Sequence, residues 1–429
     1  MRTFSRTTAA TAAAIASVAL LAAACGGSGD TAGSPATAAA VDSCDPNGVT
    51  IDTIYAQQGA QAAEQAKKTL EAEHPGLTVN LELSSAAGYD ALTQQVVTDL
   101  ASGRRHDVVM VGLGQVRYWV DEFSPAPINP EALNDTYDRR FLSIGEVDGK
   151  PYVAPFQVSM PVLYTNTDLA GQAGVTAPPT SSSELLAAAR AVGERTDAAA
   201  VALPRDGIAD WVAQAYIQSA GATFVNPDGT AGFDSDQGRD GLSIYADLGA
   251  EKLAEPVAFA DAMAMFTRGE LAYMISSPAS AASMTTQVGD RFDWSVSAFP
   301  VPDGGTPSLP AGGNGWIVLS DDPCRAAFAN EMIGAMLDPT VIATSAKTFS
   351  YVPVDTRAAA ELKADPAART QVGFAWSFDG TLTPWGGWHG DATPKVNKII
   401  TDLVTELTNG ASVDDVLPGA VRQIDGAAR

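Results

Sequence analysis

Two indoles stand on one glycine-rich stretch, Thr383-Pro384-Trp385-Gly386-Gly387-Trp388-His389-Gly390-Asp391. Glycine at this density leaves no helical or strand-like apolar period that would consume both rings in ordinary packing. Flat aromatic faces beside polar side chains suit sugar rings, whose C–H faces stack while the hydroxyls bond to Asp, Asn or backbone. The same rings can instead plug a core, and residue type alone leaves both uses open. Asp391 either accepts sugar hydroxyls or starts the next helix. Trp211, beside Asp210 on a helical stretch, is balanced between packing and stacking. Trp316, in the apolar run Trp316-Ile317-Val318-Leu319, reads as core.

Other chemistries find little support. The three histidines, His74, His106 and His389, are far apart and have no carboxylate or cysteine at ligand spacing, so surface or structural roles are expected rather than zinc or catalysis. No G-x-S-x-G elbow, Walker A loop or Rossmann fingerprint is present. The acidic run Asp234, Asp236, Asp240 fails as a calcium loop, because Gly238 and Tyr245 fall where an EF-hand needs oxygen ligands. It reads as a solvated turn and helix start. No metal, cofactor or catalytic residue is expected. A secreted carbohydrate-active enzyme is the alternative of another class, and it would need two carboxylates about 5–10 Å apart across a cleft, one with a raised pKa.

The elements that must hold these residues follow from periodicity. Val49 to Tyr55 alternates as a strand, Ala62, Ala66 and Leu70 mark a helix stopped by Pro75-Gly76, and Leu77 to Leu83 is strand-like again. Leu92, Val96 and Leu100 mark a second helix, and Asp107 to Val111 reads as a buried strand. This alternation predicts a parallel α/β sheet. Ser181 and Glu184 make a capping box for a helix through Val192, and further helices are expected around 238–250, 325–337 and 396–407. Pro/Gly-rich breaks near 124–130, 177–180 and 300–313 punctuate the chain, the last a candidate interdomain connection.

The ends and the charge set the compartment. Residues 1–24, with Arg2, Arg6 and an alanine-rich apolar run, read as a secretory signal. The junction Leu21-Ala22-Ala23-Ala24-Cys25-Gly26 resembles a bacterial lipobox, with Ala22 where leucine is usual, which implies a lipid on Cys25. Residues 25–44 then form a Gly/Ser/Ala-rich tether. Cys44 and Cys324, an even pair in an oxidising compartment, are expected to form a disulfide and so to share one discontinuous domain. With 50 Asp and Glu against 26 Lys and Arg, a net charge of −24 disfavours nucleic acid and anionic membrane surfaces as partners. Membrane contact is expected only through the lipid, at the outer face of the cytoplasmic membrane.

Several separated segments together resemble the extracellular solute-binding proteins of bacterial ABC importers, the family 1 group that includes maltose- and glycerol-3-phosphate-binding proteins. They include Glu73-His74-Pro75-Gly76-Leu77, Val153-Ala154-Pro155-Phe156, Val162-Leu163-Tyr164-Thr165-Asn166, Asn226-Pro227-Asp228-Gly229, Gly312-Gly313 and Tyr351-Val352-Pro353-Val354. The resemblance implies an α/β, two-lobe periplasmic-binding-protein fold of type II, with discontinuous lobes joined by a hinge that closes on ligand. It places lobe 1 at 45–162 and 307–355, and lobe 2 at 163–306 and 356–429. It also implies a monomer that hands a small solute to ABC permease subunits. Among relatives, the glycerol-3-phosphate and glycerophosphodiester binders look nearest, and motif matching carries their ligand contacts onto Tyr89, Ser159, Ser277 or Ser280, Gly313 and Tyr351, with Trp211 surviving from a tryptophan pair. Tyr89 can equally cap a lobe edge, and Gly312-Gly313 can equally be a turn. Two departures matter: a cleft glutamate of that group falls on Leu113, and the arginine that grips phosphate falls on Trp388. Losing that bidentate clamp points toward a neutral mono-, di- or oligosaccharide, with a glycerophosphodiester as the alternative unless Arg205 or another base substitutes.

Overall fold

The computed structural model describes residues 38–86 and 88–428. The expected signal segment and Cys25 lie outside the described residues. The strands are β1 (Thr50–Tyr55), β2 (Thr78–Leu83), β3 (Val108–Gly112), β4 (Glu146–Val147), β5 (Lys150–Pro151), β6 (Ala154–Ser159), β7 (Val162–Asn166), β8 (Ala199–Ala202), β9 (Leu271–Ser276), β10 (Trp294–Ala298) and β11 (Gly312–Val318). They build a five-stranded sheet in the order β2-β1-β3-β11-β6, a four-stranded sheet in the order β10-β7-β9-β8, and the hairpin β4-β5.

In the first sheet β1 runs parallel to β2 and β3, as the alternating strand and helix pattern predicts. β11 enters antiparallel between β3 and β6. The helices Ala60–Glu73 and Tyr89–Ala101 make the crossovers, burying Ala62, Ala66, Leu70, Leu92 and Val96. In the second sheet β7 pairs antiparallel with β9 and β10, while β8 runs parallel to β9.

The buried apolar residues form two large clusters, and the one around the first sheet also takes in Tyr164, Phe266, Met274 and Trp294 from beside the second. Ile51, Ile54, Val109, Val111 and Trp316 are buried around the first, and Trp211, Tyr216, Phe233, Tyr245 and Leu403 around the second. Helices Asp236–Ala250, Ala392–Thr408 and Val413–Ala427 cover the second core. Local signals start these helices where the sequence puts them. Ser181 Oγ accepts from Glu184 N at 3.3 Å, and Asp322 caps Pro323–Met336 by accepting from the N–H groups of Cys324 and Arg325. The Cys44–Cys324 disulfide is formed, with Cα atoms 5.5 Å apart, and ties the start of the described chain to the helix behind the first sheet.

The chain passes between the sheets at adjacent places. β6 ends at Ser159 and β7 begins at Val162, so Met160-Pro161 alone spans one crossing, and the run from Phe299 to Ala311 spans the return. The segment Thr356–Ser377 straddles both units. Its Trp376 is buried with Ala346 and Leu362, while Gln371 Nε2 donates to Trp294 O of β10 at 2.6 Å.

Candidate functional site

The return crossing carries the residues singled out above to the edge of the first sheet. Gly312 pairs with Ser159, and Val162 pairs with Ser276, so the end of β6, the start of β11 and the end of β9 converge. Trp211, on helix Ala209–Ser219, reaches this convergence as a fully buried packing residue, with no face left for stacking a solute, and donates its indole N–H to Pro310 O at 2.9 Å. A Cβ on Gly312 would stand 2.8 Å from both the Trp211 ring and Ser159 Oγ, so glycine is what lets the indole lie on the strand.

Trp385 completes the pair. Its indole N–H donates to Asp210 Oδ2 at 2.8 Å, and its ring lies on the backbone of Gly114, where a Cβ would come within 2.8 Å. The Trp211 and Trp385 rings are 6.0 Å apart and tilted by 46°. Gln214 fixes the loop from below, its Nε2 donating to Pro384 O and its Oε1 accepting from Gly386 N, each at 2.9 Å. Trp385 is thus held by the second unit and touches the turn that follows β3 in the first. Burial pushes the Asp210 carboxyl up to about 6, against the lowering effect of the Trp385 N–H and with a small further rise from Asp90.

Beside the indoles lies a relay of neutral polar groups. Gln157 Nε2 donates to Ser345 Oγ at 2.7 Å and to Gln58 O at 3.2 Å. Asn314 Nδ2 donates to Gln157 Oε1 at 2.7 Å and to the Tyr89 hydroxyl at 2.8 Å. Burial raises the phenol pKa values of both Tyr89 and Tyr351. Gly313 has φ +105° and its missing Cβ would fall 1.9 Å from Gln157 O, so this glycine serves a close backbone approach just before the strand irregularity at Asn314 and Gly315.

The remaining candidates separate. Ser277 Oγ accepts from Ala279 N at 3.1 Å and Ser280 precedes the helix Ala281–Val288 without a side-chain capping bond, both just past the end of β9. Trp388 is fully buried against Phe224, with ring centroids 5.4 Å apart, and presents no stacking face. The correction has a plain cause. Gly386 and Gly387, at φ +71° and +108°, turn the chain so that the second indole points into the core while the first stays at the junction. Asp391 is 72% exposed and paired with Lys395, which makes it a surface acid beside the helix start and not a site acceptor. Arg205 donates to Asn409 Oδ1 at 2.9 Å and so does not stand in for a phosphate clamp. Leu113 is buried in the first core. Of the histidines, His74 meets Glu331, His106 meets Asp99, and His389 Nδ1 lies 3.0 Å from Arg117 Nη2 at the rim, where Gly390 N also donates to Asp121 Oδ2 at 2.8 Å. Among the described residues, no cluster of three His, Cys, Asp or Glu is placed to hold a metal, and no helix is long and apolar enough to cross a membrane.

Asp210, Gln214, Gln157, Asn314 and Gly114 join the site without having been singled out as contacts. Asp210 had one local signal, its place beside Trp211, and Asn314 had another, its place after Gly313. Gln157 and Gly114 had none.

Known proteins supply the frame for this geometry. Residues 54–342 match the bacterial extracellular solute-binding protein family. A putative binding protein of Brucella abortus is 29% identical over 234 residues, covering 52% of this chain and 56% of that protein, so the chain spans about half the length of the curated relatives matched first. The cyclic alpha-maltosyl-1,6-maltose binding protein from Arthrobacter globiformis superposes with a TM-score of 0.71 at 18% identity, covering 89% of this chain and 98% of that one. UgpB from Mycobacterium tuberculosis, solved with glycerophosphocholine, superposes with a TM-score of 0.70 at 19% identity, covering 88% and 98%. The two sheets joined by adjacent crossings are the two lobes of the type II periplasmic-binding-protein fold, and this chain belongs to the bacterial extracellular solute-binding proteins.

Proposed function

We propose that the chain is the solute-capturing receptor of an ABC importer, holding a small neutral carbohydrate at the junction of its two lobes and presenting it to membrane permease subunits. One observation carries the reading. The Trp385 indole, packed beside the buried ring of Trp211, lies at the interlobe edge beside Asp210 and the Tyr89–Asn314–Gln157 relay, a set that offers one stacking face and hydroxyl partners. A phosphate ester would call for charge-assisted donors. The arginine at the rim, Arg117, is already engaged by Asp121 and Asp148. The maltose-type ligand named for the Arthrobacter protein supports the sugar reading, and the glycerophosphocholine of UgpB keeps the ester as the competitor.

Capture needs only differential contact. Trp385 is gripped by the second lobe and lies on Gly114 of the first, so a solute that touches both favours the closed arrangement by whatever it gains there. The reading assigns no catalytic step. It takes the lobes as 45–162 with 307–355 and 163–306 with 356–429, with Thr356–Ser377 straddling them, and places the protein outside the cell on a lipid at Cys25. Calorimetry of the purified protein against maltose, lactose, trehalose, glycerol-3-phosphate and glycerophosphocholine tests the ligand class. A disaccharide is expected to bind tightest, and binding of a phosphate ester alone would overturn the carbohydrate assignment.

A further inference from the structure

The relay behind the indoles has a direction of donation that the backbone fixes. Gln157 Nε2 lies 3.2 Å from Gln58 O, and a carbonyl can only accept, so the amide nitrogen must be on that side and Oε1 on the other. Asn314 must then turn its own nitrogen to Gln157 Oε1, at 2.7 Å, and its remaining N–H goes to the Tyr89 oxygen at 2.8 Å. The Tyr89 oxygen is thus an acceptor in this chain of bonds. The amide N–H groups of Gln157 and Asn314 are therefore all committed inward.

The same logic leaves one acceptor over. Asn314 Oδ1 is buried and has no hydrogen-bond partner among the described residues, although Asn314 is 0% exposed. Buried amide oxygens are almost always paired, and this one belongs to a side chain whose orientation is locked from behind.

We propose that Asn314 is a specificity-determining residue of the interlobe site, its Oδ1 accepting a hydrogen bond from a hydroxyl of the bound solute. This rests on the carbohydrate reading and sharpens it: at this place the solute must donate. A polyol does so, and a phosphoryl group, which only accepts, cannot take that position.

Calorimetry with maltose, lactose and trehalose, and with the monodeoxyfluoro derivatives of whichever binds, tests the assignment, because fluorine removes the donor while nearly keeping the size. One fluorinated position should lose about 10- to 100-fold in the native protein. In Asn314→Ala the parent disaccharide should fall by a similar factor, and that same fluorination should then cost no more than about 2-fold further. Asn314→Ser serves as the second variant, and thermal melting shows that each is folded. Fluorination losses of equal size in native and variant proteins would overturn the role of Asn314 and leave the carbohydrate reading standing. Binding of glycerol-3-phosphate with none of the disaccharides would overturn both. Should neither variant fold, a native scan in which no fluorinated position loses more than about 2-fold overturns the proposal by itself.

Discussion

The Trp385 indole N–H is donated to the buried Asp210 carboxylate at 2.8 Å, which makes the orientation of an aromatic face at the lobe junction depend on a titratable group. Burial holds that carboxyl at about 6, above its ordinary 3.8. The folded chain therefore binds this proton more tightly than the unfolded chain does. Stability from this group is full below about 3.8 and is lost as the pH rises through about 6. The loss amounts to at most about 3 kcal/mol. Asp210→Asn, which still accepts from Trp385, should melt higher than the native protein at about pH 7.5, and the gap should close near pH 4. A gap that does not change with pH would show that Asp210 is not the titrating group.

The two loop tryptophans should respond differently to truncation. Trp385→Ala is expected to weaken the cognate ligand by about 1–3 kcal/mol with a smaller change in melting temperature. Trp388→Ala, which empties a site in the second core beside Phe224, should cost about 3–5 kcal/mol of stability. Calorimetry and denaturant melts on both variants separate the roles, and equal affinity losses would contradict the assignment.

The paired glycines of β11 should also separate. Gly313→Ala forces a side chain into φ +105° and onto Gln157 O, so it should destabilise by about 3 kcal/mol or more. Gly312→Ala has no such backbone strain, and its Cβ meets Ser159 Oγ and the buried Trp211 ring at 2.8 Å, so it should destabilise by less, about 1–3 kcal/mol. Urea midpoints of the two variants check this order.

Removing the Cys44–Cys324 link frees a loop of 280 residues in the unfolded chain, and the Cys44→Ser, Cys324→Ser protein should lose about 2–5 kcal/mol. Non-reduced peptide mapping should recover the linked peptides. A melting temperature insensitive to reductant would show that the link does not staple the first lobe.

What was legible in the sequence was what repeats locally. The alternation of Val49 to Tyr55 appears as Thr50–Tyr55, the run at Ala62, Ala66 and Leu70 as the buried stripe of Ala60–Glu73, and the Ser181–Glu184 pair as a working cap. Cysteine parity found the disulfide because only two thiols remained to pair after Cys25. The site was only half legible. Trp211 and Gly312 sit far apart in sequence yet interlock, and Asn314 faces Gln157 through a sheet register that no spacing rule states. Trp385 and Trp388 differ by three residues and share one composition, and what separates them is a pair of positive φ angles at Gly386 and Gly387.

The position of β11 has a consequence for how the molecule comes into being. This strand lies between β3 and β6, yet the chain makes it only after the whole second sheet. A polypeptide emerging N-terminus first carries the facing edges of β3 and β6 unsatisfied until Val318 arrives. The second sheet, complete by Ala298, can assemble earlier than the first. The sheet that begins the sequence is the one that closes last, and its two open strand edges are where a holding chaperone would have most to cover before Val318 is made.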